Sequence, residues 1–399
     1  MLTLGRRPGE AATRKWRGLS DSGADLGRRC RVLVLTPDFP PAEGGIQRLV
    51  ERIVRHFGNL EARVIALGGP GTREHDSRLP FPVLRVPALG GKRRLSFVVL
   101  NGTSLAYAAR FRPDVVLSAH IVAAPATWVI GRLFSAATVQ YLHADEVRAS
   151  PPLARFALRS SDRVIAVSRH TRQLALGAGA SPERIRIIPP GVDLIAHPPN
   201  RHPVERPTLL TVARLEDDYK GHDVVVRALP RLLQRLPSAE WVVVGGGSLR
   251  TGLETLARDL GVVDNVRFIG AASDAERDAW YDRANVFVMP SRVPSNGGGE
   301  GFGIVYLEAA MHGLPVVAGD VGGARDAVVN GETGLLVDPQ SPAAVCDALV
   351  RLLEDRELAE RLGRQGAARA RDFGWPRIAE QVESLLIEAA SERRRARAA

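Results

Sequence analysis

Residues 195–214 read IAHPPNRHPVERPTLLTVAR. The first part, IAHPPNRHPVERP (195–207), is proline-rich and polar and has no apolar period, so it reads as a linker. The second part, TLLTVAR (208–214), is a short β-prone run of the kind buried in a parallel sheet. A strand pattern that restarts after a linker implies a second domain.

The chain on either side supports this. Before the break, apolar runs fall at 29–36 (RCRVLVLT), 62–67, 82–87, 114–120, 137–143 and 163–168. After it they fall at 208–214, 241–247, 266–270, 286–291, 315–319 and 334–339. Helical stretches separate them. In GGIQRLVERIVRHFG, residues Ile46, Leu49, Val50, Ile53, Val54 and Phe57 follow the spacing of one helix face. Further helices are expected at 221–236, 248–260, 273–284, 303–312, 342–354 and 356–372. Such alternation predicts an α/β chain with two Rossmann-like domains facing across a cleft. The expected ligand site is that cleft, at the carboxyl ends of the strands.

Composition narrows the function. The 399 residues are 45% apolar and 25% charged, as in a soluble globular protein. No apolar run reaches the ~18 residues of a membrane span. Two distant cysteines, Cys30 and Cys346, make neither a disulfide framework nor a metal site, which fits a reducing cytosol. The net charge of +10 is concentrated at the ends. Residues 1–29 carry seven basic and three acidic side chains, and residues 389–399 carry four arginines and one glutamate. A basic excess held in tails argues against nucleic acid as a partner. Residues 1–29 lack an apolar segment and read as a disordered leader.

Chemistry concentrates after the break. Arg214 closes the run 208–214, and Lys220 follows six residues later; two cations near a strand end suit a diphosphate. In GGGEGFGIVYLEA (297–309), a glycine run leads into a helix. Phe302, Gly303, Ile304 and Val305 supply free backbone N–H groups where that helix begins, which suits phosphate. Glu308 lies a turn further in and is assigned to vicinal ribose hydroxyls, while Glu300, before the helix, is assigned to hydroxyls of a transferred sugar. The run GGGSLR after WVVV is no dinucleotide fingerprint, because Arg250 takes the place of its third glycine.

From about Arg31 to about Trp375 the chain resembles the retaining nucleotide-sugar glycosyltransferases of family 4, which have the GT-B fold. The most specific motif is the pair Glu300 and Glu308 in EGFGIVYLEA, followed by HGLPVVA. GGIQR (44–48), HADE (143–146), AVSRHTR (166–172), IPPGVD (188–193), VARLEDDYKGHD (212–223) and VGGARDAVVNGETGLLVDP (321–339) also match. The resemblance implies that Gly44 and Gly45 lie near the donor phosphates and the acceptor, and that Arg214 and Lys220 bind the diphosphate. It implies that His143 touches the donor sugar, with Glu300 at the sugar and Glu308 at the ribose. It also implies that the last helix crosses back onto the first domain. The expected division is a leader over 1–29, an acceptor-side domain over 30–197 joined by 376–399, and a nucleotide-sugar domain over 198–375.

The loop RVPSNGGG (292–299) is longer than the family norm and looks like that of the phosphatidylinositol mannosyltransferases. HADE departs from the frequent HGHE-like sequence, which leaves the role of Glu146 open. The implied activity is transfer of a hexosyl group, with mannosyl the first candidate, from a GDP- or UDP-sugar to a hydroxyl on a lipid or glycan. No cofactor is expected, and the lack of a DxD-like motif predicts independence of metal. A sugar-nucleotide epimerase, a phosphorylase of the same fold and a non-catalytic sugar-nucleotide-binding protein are the alternatives; a phosphorylase needs a lysine for its pyridoxal group, and Lys220 is the only one in the second half. Segments 71–79 and 88–96 are expected to be loops on the acceptor side. Lys92, Arg93 and Arg94, with the basic C-terminal tail, suggest weak contact with an anionic membrane, so the expected location is cytoplasmic, peripheral on the inner face of the plasma membrane.

Overall fold

A computed structural model describes residues 29–42, 44–90, 92–195, 206–295 and 297–399. The expected leader up to residue 28 and the centre of the expected linker, 196–205, lie outside the described residues.

The first sheet has seven strands: β1 (Cys30–Leu35), β2 (Leu60–Leu67), β3 (Val83–Val86), β4 (Val115–Ser118), β5 (Ala137–Leu142), β6 (Arg163–Ala166) and β7 (Ile185–Ile187). Their order is β3-β2-β1-β4-β5-β6-β7, and every pairing is parallel. The second has six: β8 (Thr208–Val212), β9 (Glu240–Val244), β10 (Val266–Gly270), β11 (Val286–Met289), β12 (Val316–Gly319) and β13 (Gly334–Val337). Their order is β10-β9-β8-β11-β12-β13, again all parallel. The strand order reverses beside β1 in one sheet and beside β8 in the other. A crevice opens at such switch points, so the loops after β1 and β8 are where ligand groups belong.

Each sheet is buried because helices cover both faces. Helices Gly45–Arg55 and Trp375–Ala398 cover one face of the first sheet. Helices Arg93–Phe111, Ala124–Phe134 and Pro151–Ser160 cover the other. The helix Trp375–Ala398 starts where the domains join: Val192 N–H donates to Phe373 O (2.8 Å), and Gly191 lies so close to the Trp375 ring that a Cβ there would sit 2.4 Å from it. It then buries Ile378, Val382, Leu385 and Leu386 on the first domain, each contributing about 1.5–3 kcal/mol. Among the described residues no helix is long and apolar enough to cross a membrane.

Two local expectations are corrected. Residues 93–96 open a nineteen-residue helix instead of continuing a loop. Its buried stripe is Ser96, Leu100, Ser104 and Ala108, in which one leucine stands among serines and an alanine and gives no apolar period to read. The segment 71–79 likewise contains a short helix, Thr72–Asp76. The edge strand β7 is three residues long with an arginine at its centre, and it went unread in the run RIRIIPP.

Candidate functional site

After β8 the chain turns through Arg214 to a single 3-10 turn, Asp218–Lys220. Gly221 ends that turn at φ 78°, and a Cβ there would lie 2.3 Å from Pro290 O. Only glycine fits this approach, which presses the turn against the end of β11. The Lys220 ammonium is thereby placed 2.5 Å from Glu300 Oε2, with both side chains largely enclosed. Burial works to lower the lysine's pKa, but the Glu300 charge, Tyr219 and the hydrogen bond outweigh it, and the pKa is raised above the ordinary lysine value. The Lys220 ammonium also sits 5.1 Å from the centre of the Tyr219 ring. Burial pushes the Tyr219 phenol up to about 12.

Glu300 stands beside a close approach of the two domains. Its carbonyl accepts from Gly323 N–H (3.0 Å). A Cβ on the next residue, Gly301, would lie 1.9 Å from His143 O of the first domain. His143 follows β5. Its ring stacks on buried Tyr141 (5.2 Å between centroids), and its Nε2 lies 2.9 Å from Ala119 O. The Glu146 carboxylate accepts from His143 N–H (2.7 Å) and Ala144 N–H (3.0 Å), holding Ala144 at φ 127°. Glu146 is therefore a buried clamp on the His143 turn. Beside it, after β4, His120 is also enclosed; burial lowers its pKa against the opposing pull of Glu146 and Asp38.

Gly303 caps the helix Ile304–Met311 at φ 90°, and no side chain occupies the cap. The same is true of Gly44, which precedes the helix Gly45–Arg55. The two helix starts meet across the cleft, where a Cβ on Gly45 would lie 3.7 Å from Ile304 Cδ1. Two uncapped N-termini from opposite domains direct partial positive charge into one space. Val305 is half-buried beside Ile304, while the Phe302 side chain is buried against Phe373. Glu308 is half-buried one turn on, where its Oε2 accepts from Tyr281 O–H (3.0 Å). Tyr281 is fully buried, stacks on His312, and has its pKa raised first by burial and then by the Glu308 charge.

The structure thus joins Lys220 to Glu300, Gly301 to His143, and Gly45 to Ile304. Arg214 is mostly exposed, and its guanidinium reaches Asp217 Oδ2 (3.4 Å). Glycines 245 and 247 lie behind it; Cβ atoms there would come within 2.0 Å of Ala213 O and 2.3 Å of the Leu215 carbonyl carbon. The run after β9 is therefore built for backbone packing under the Arg214 turn. Sequence reasoning missed Tyr219 and Tyr281, which lie outside the EGFGIVYLEA motif, and His120. Among the described residues no group of three or more His, Cys, Asp or Glu side chains is arranged to hold a metal ion.

Comparison with known proteins agrees with this architecture. The family profile described as Glycosyltransferase Family 4 matches residues 43–195, and that described as Glycosyl transferases group 1 matches residues 194–369. The chain is 35% identical over 379 residues to the GDP-mannose-dependent alpha-(1-6)-phosphatidylinositol monomannoside mannosyltransferase of Mycobacterium tuberculosis, covering 89% of this chain and 98% of that protein. Among solved structures, sucrose-phosphate synthase from Thermosynechococcus elongatus superposes with a TM-score of 0.77 at 23% identity, covering 92% of this chain and all of that one. Anabaena HepE in complex with UDP and glucose gives a TM-score of 0.73 at 20% identity, covering 90% and 99%. These two likenesses concern the fold.

Proposed function

The chain belongs to glycosyltransferase family 4 with the GT-B fold, and on that premise we propose that it transfers mannose from GDP-mannose, with retention, to a hydroxyl of a lipid-linked or glycan acceptor. That it is a nucleotide-sugar glycosyltransferase, not an epimerase, follows from the family. The choice of mannose and GDP is supported by the 35% identity to a GDP-mannose-dependent enzyme over nearly its whole length. A lipid acceptor has the same support, since that relative's acceptor is a phosphatidylinositol mannoside.

The observation that carries the mechanism is the enclosed Lys220–Glu300 pair beside two uncapped helix starts. In the reaction the bond from the sugar's anomeric carbon to the β-phosphate oxygen breaks. A bond from that carbon to the acceptor oxygen forms on the same face. Negative charge builds on the leaving diphosphate. Its stabilisation is assigned to Lys220, Arg214 and the N–H groups at Gly303, Ile304 and Val305. Gly44 and Gly45 let the backbone of the first domain approach the same phosphates. Glu308 binds the ribose hydroxyls, and Glu300 takes a sugar hydroxyl while holding Lys220. His143 contacts the sugar from the opposite domain. The acceptor proton passes to an oxygen of the departing diphosphate, so no protein base or metal is required. A weak contact of Lys92–Arg94 and the C-terminal arginines with an anionic cytoplasmic membrane face belongs to the same reading.

The test is a donor screen by titration calorimetry with GDP, UDP and ADP, then with their sugars, followed by turnover on a lipid-linked mannoside. Tight binding of GDP and GDP-mannose, with an α-linked product by NMR, is expected. Preference for UDP-glucose, or a β-linked product, overturns the donor or the retention.

A further inference from the structure

The first sheet reverses its strand order between β1 and β4. These strands are in register, Leu35 against Ser118, so Asp38 and His120 lie three and two residues beyond the same rung. A crevice at such a switch point is where a ligand belongs. Neither residue takes part in the donor site described above.

Asp38 is held firmly by its backbone. Its N–H donates to Thr36 Oγ1 (3.1 Å), and the Thr36 hydroxyl donates in turn to Asp38 O (2.8 Å). The next residue, Phe39, is buried, with the Arg85 guanidinium 5.1 Å from its ring centre. The same guanidinium donates to Pro40 O. Asp38 is half-buried, yet among the described residues its carboxylate makes no ion pair and accepts no hydrogen bond.

His120 is the converse. Val122 N–H donates to its Nδ1 (3.3 Å), so that nitrogen carries no proton and the neutral ring holds its one proton on Nε2. Burial favours the neutral ring against the pull of Glu146 and Asp38, and His143 and Arg93 act in the same sense as burial. Among the described residues the Nε2–H has no acceptor. The ring is half-buried, not sealed, so a ligand can reach it.

The surrounding groups are engaged elsewhere. The two Glu146 oxygens accept from the His143 and Ala144 N–H groups, and His143 Nε2 lies on Ala119 O. Arg93 is exposed and lies over the Phe97 ring. Enclosed polar groups without a partner are rare enough to need a reason. Here one is a charged acceptor and the other a donor, close enough for the charge of Asp38 to act on His120. Two hydroxyls of one ring satisfy both: one donates to the carboxylate, and the other accepts from the imidazole. A phosphate does not, because the carboxylate repels it.

We propose that Asp38 and His120 bind two non-reacting hydroxyls on the sugar or polyol ring of the acceptor, and so select which hydroxyl meets the donor. The inference rests on the acceptor reading above and gives that acceptor a site in the first domain. Neither residue serves as a base: Nε2 already carries a proton, and Asp38 holds a hydroxyl that stays intact.

The experiment compares Asp38→Asn, His120→Asn and His120→Gln with the wild type in steady-state transfer from GDP-mannose to phosphatidylinositol monomannoside. Asp38→Asn is expected to raise the acceptor KM roughly ten- to a hundredfold, with kcat little changed. His120→Asn keeps an oxygen to accept from Val122 N–H but lacks the Nε2–H, and its acceptor KM is expected to rise roughly tenfold at unchanged Tm. His120→Gln restores an N–H at that reach and loses the Val122 contact, so a KM nearer the wild type at a lower Tm is expected. A merely structural histidine gives the reverse order, with His120→Asn near normal and His120→Gln impaired, and overturns the proposal. A loss confined to kcat also overturns it. GDP affinity by calorimetry reports separately on the donor site and is expected to be unchanged in all three variants. If the wild type transfers mannose to no phosphatidylinositol mannoside, the lipid-mannoside reading fails, and imidazole NMR spectra of the GDP complex decide this one. A His120 Nε2–H signal that moves on addition of methyl mannoside or myo-inositol supports it, and a response to neither overturns it.

Discussion

Lys220 and Glu300 are eighty residues apart in sequence, yet the ammonium and carboxylate meet at 2.5 Å in a largely enclosed space between β8 and the helix Ile304–Met311. Each is the other's main counter-charge. A lysine held in this way remains an ammonium at any pH the protein meets. Its raised pKa means that the pair's stabilisation is present below the unfolded lysine value of about 10.4 and fades only as pH rises through the higher folded value.

Removing the lysine strands the carboxylate. Lys220→Ala is expected to destabilise the fold by up to about 3–5 kcal/mol, the range for breaking a buried pair. The double variant Lys220→Met/Glu300→Gln is expected to recover a large part of that loss while remaining inactive. Urea unfolding of the two variants, with turnover measured alongside, checks both statements. Near-normal turnover in Lys220→Ala would remove the lysine from leaving-group stabilisation.

Glu308 is expected to dominate nucleotide affinity. Glu308→Ala removes charge-assisted hydrogen bonds worth ~1.5–3 kcal/mol each, about ten- to a hundredfold in affinity per bond. Tyr281→Phe removes only the hydrogen bond that orients the carboxylate, and its effect is expected to be smaller. Calorimetry with a nucleoside diphosphate and with its 2′-deoxy analogue reads this directly. If the wild type does not distinguish the two nucleotides, the ribose assignment is wrong.

His222 predicts a pH dependence of stability. Its ring is buried, neither nitrogen has a hydrogen-bond partner, and burial together with Lys220 lowers its pKa to about 4. The unfolded chain takes up a proton near pH 6.5, whereas the folded chain does so only near 4. Stability is therefore full above 6.5 and falls by about 1.4 kcal/mol per pH unit between those values. His222→Leu is expected to flatten that slope, as measured by denaturant midpoints from pH 4 to 7.

EDTA is expected to leave turnover largely intact. Stabilisation of the leaving diphosphate is assigned to Lys220, Arg214 and backbone N–H groups, none of which needs a divalent ion. Activity that is lost on chelation and restored only by Mg²⁺ or Mn²⁺ would refute that assignment.

The two-domain fold was legible because strands buried on both faces show as continuous apolar runs, and the proline-rich break separates two sets of them. The helix Arg93–Phe111 was not legible, because serine and alanine interrupt its inward stripe around Leu100 while Leu95, Val98 and Val99 stay exposed, which blurs the apolar period. At the site, motif spacing singled out Glu300, Glu308 and Lys220. It carried no sign that Glu300 and Lys220 would bond each other, because that contact depends on how two separate loops stack at the end of one sheet. Tyr281 was invisible for a related reason. It reaches Glu308 from a neighbouring helix, and nothing in its local sequence, DAWYDR, marks it as more than a core aromatic. Glu146 was visible as a residue but not as a clamp, since the strained backbone at Ala144 that it holds leaves no trace in composition.

The helix Trp375–Ala398 makes the first domain discontinuous in the chain, and this governs how the protein is born. A ribosome releases the seven strands of the first sheet long before it makes the helix that covers one of their faces. Throughout synthesis of the second domain, that face is covered by the helix Gly45–Arg55 alone, and the rest of it stays open to aggregation or chaperone capture. Only after the second domain has been made can Ile378, Val382 and Leu386 complete the cover of that face. The two domains therefore cannot mature one after the other: the first waits for a helix made after the second.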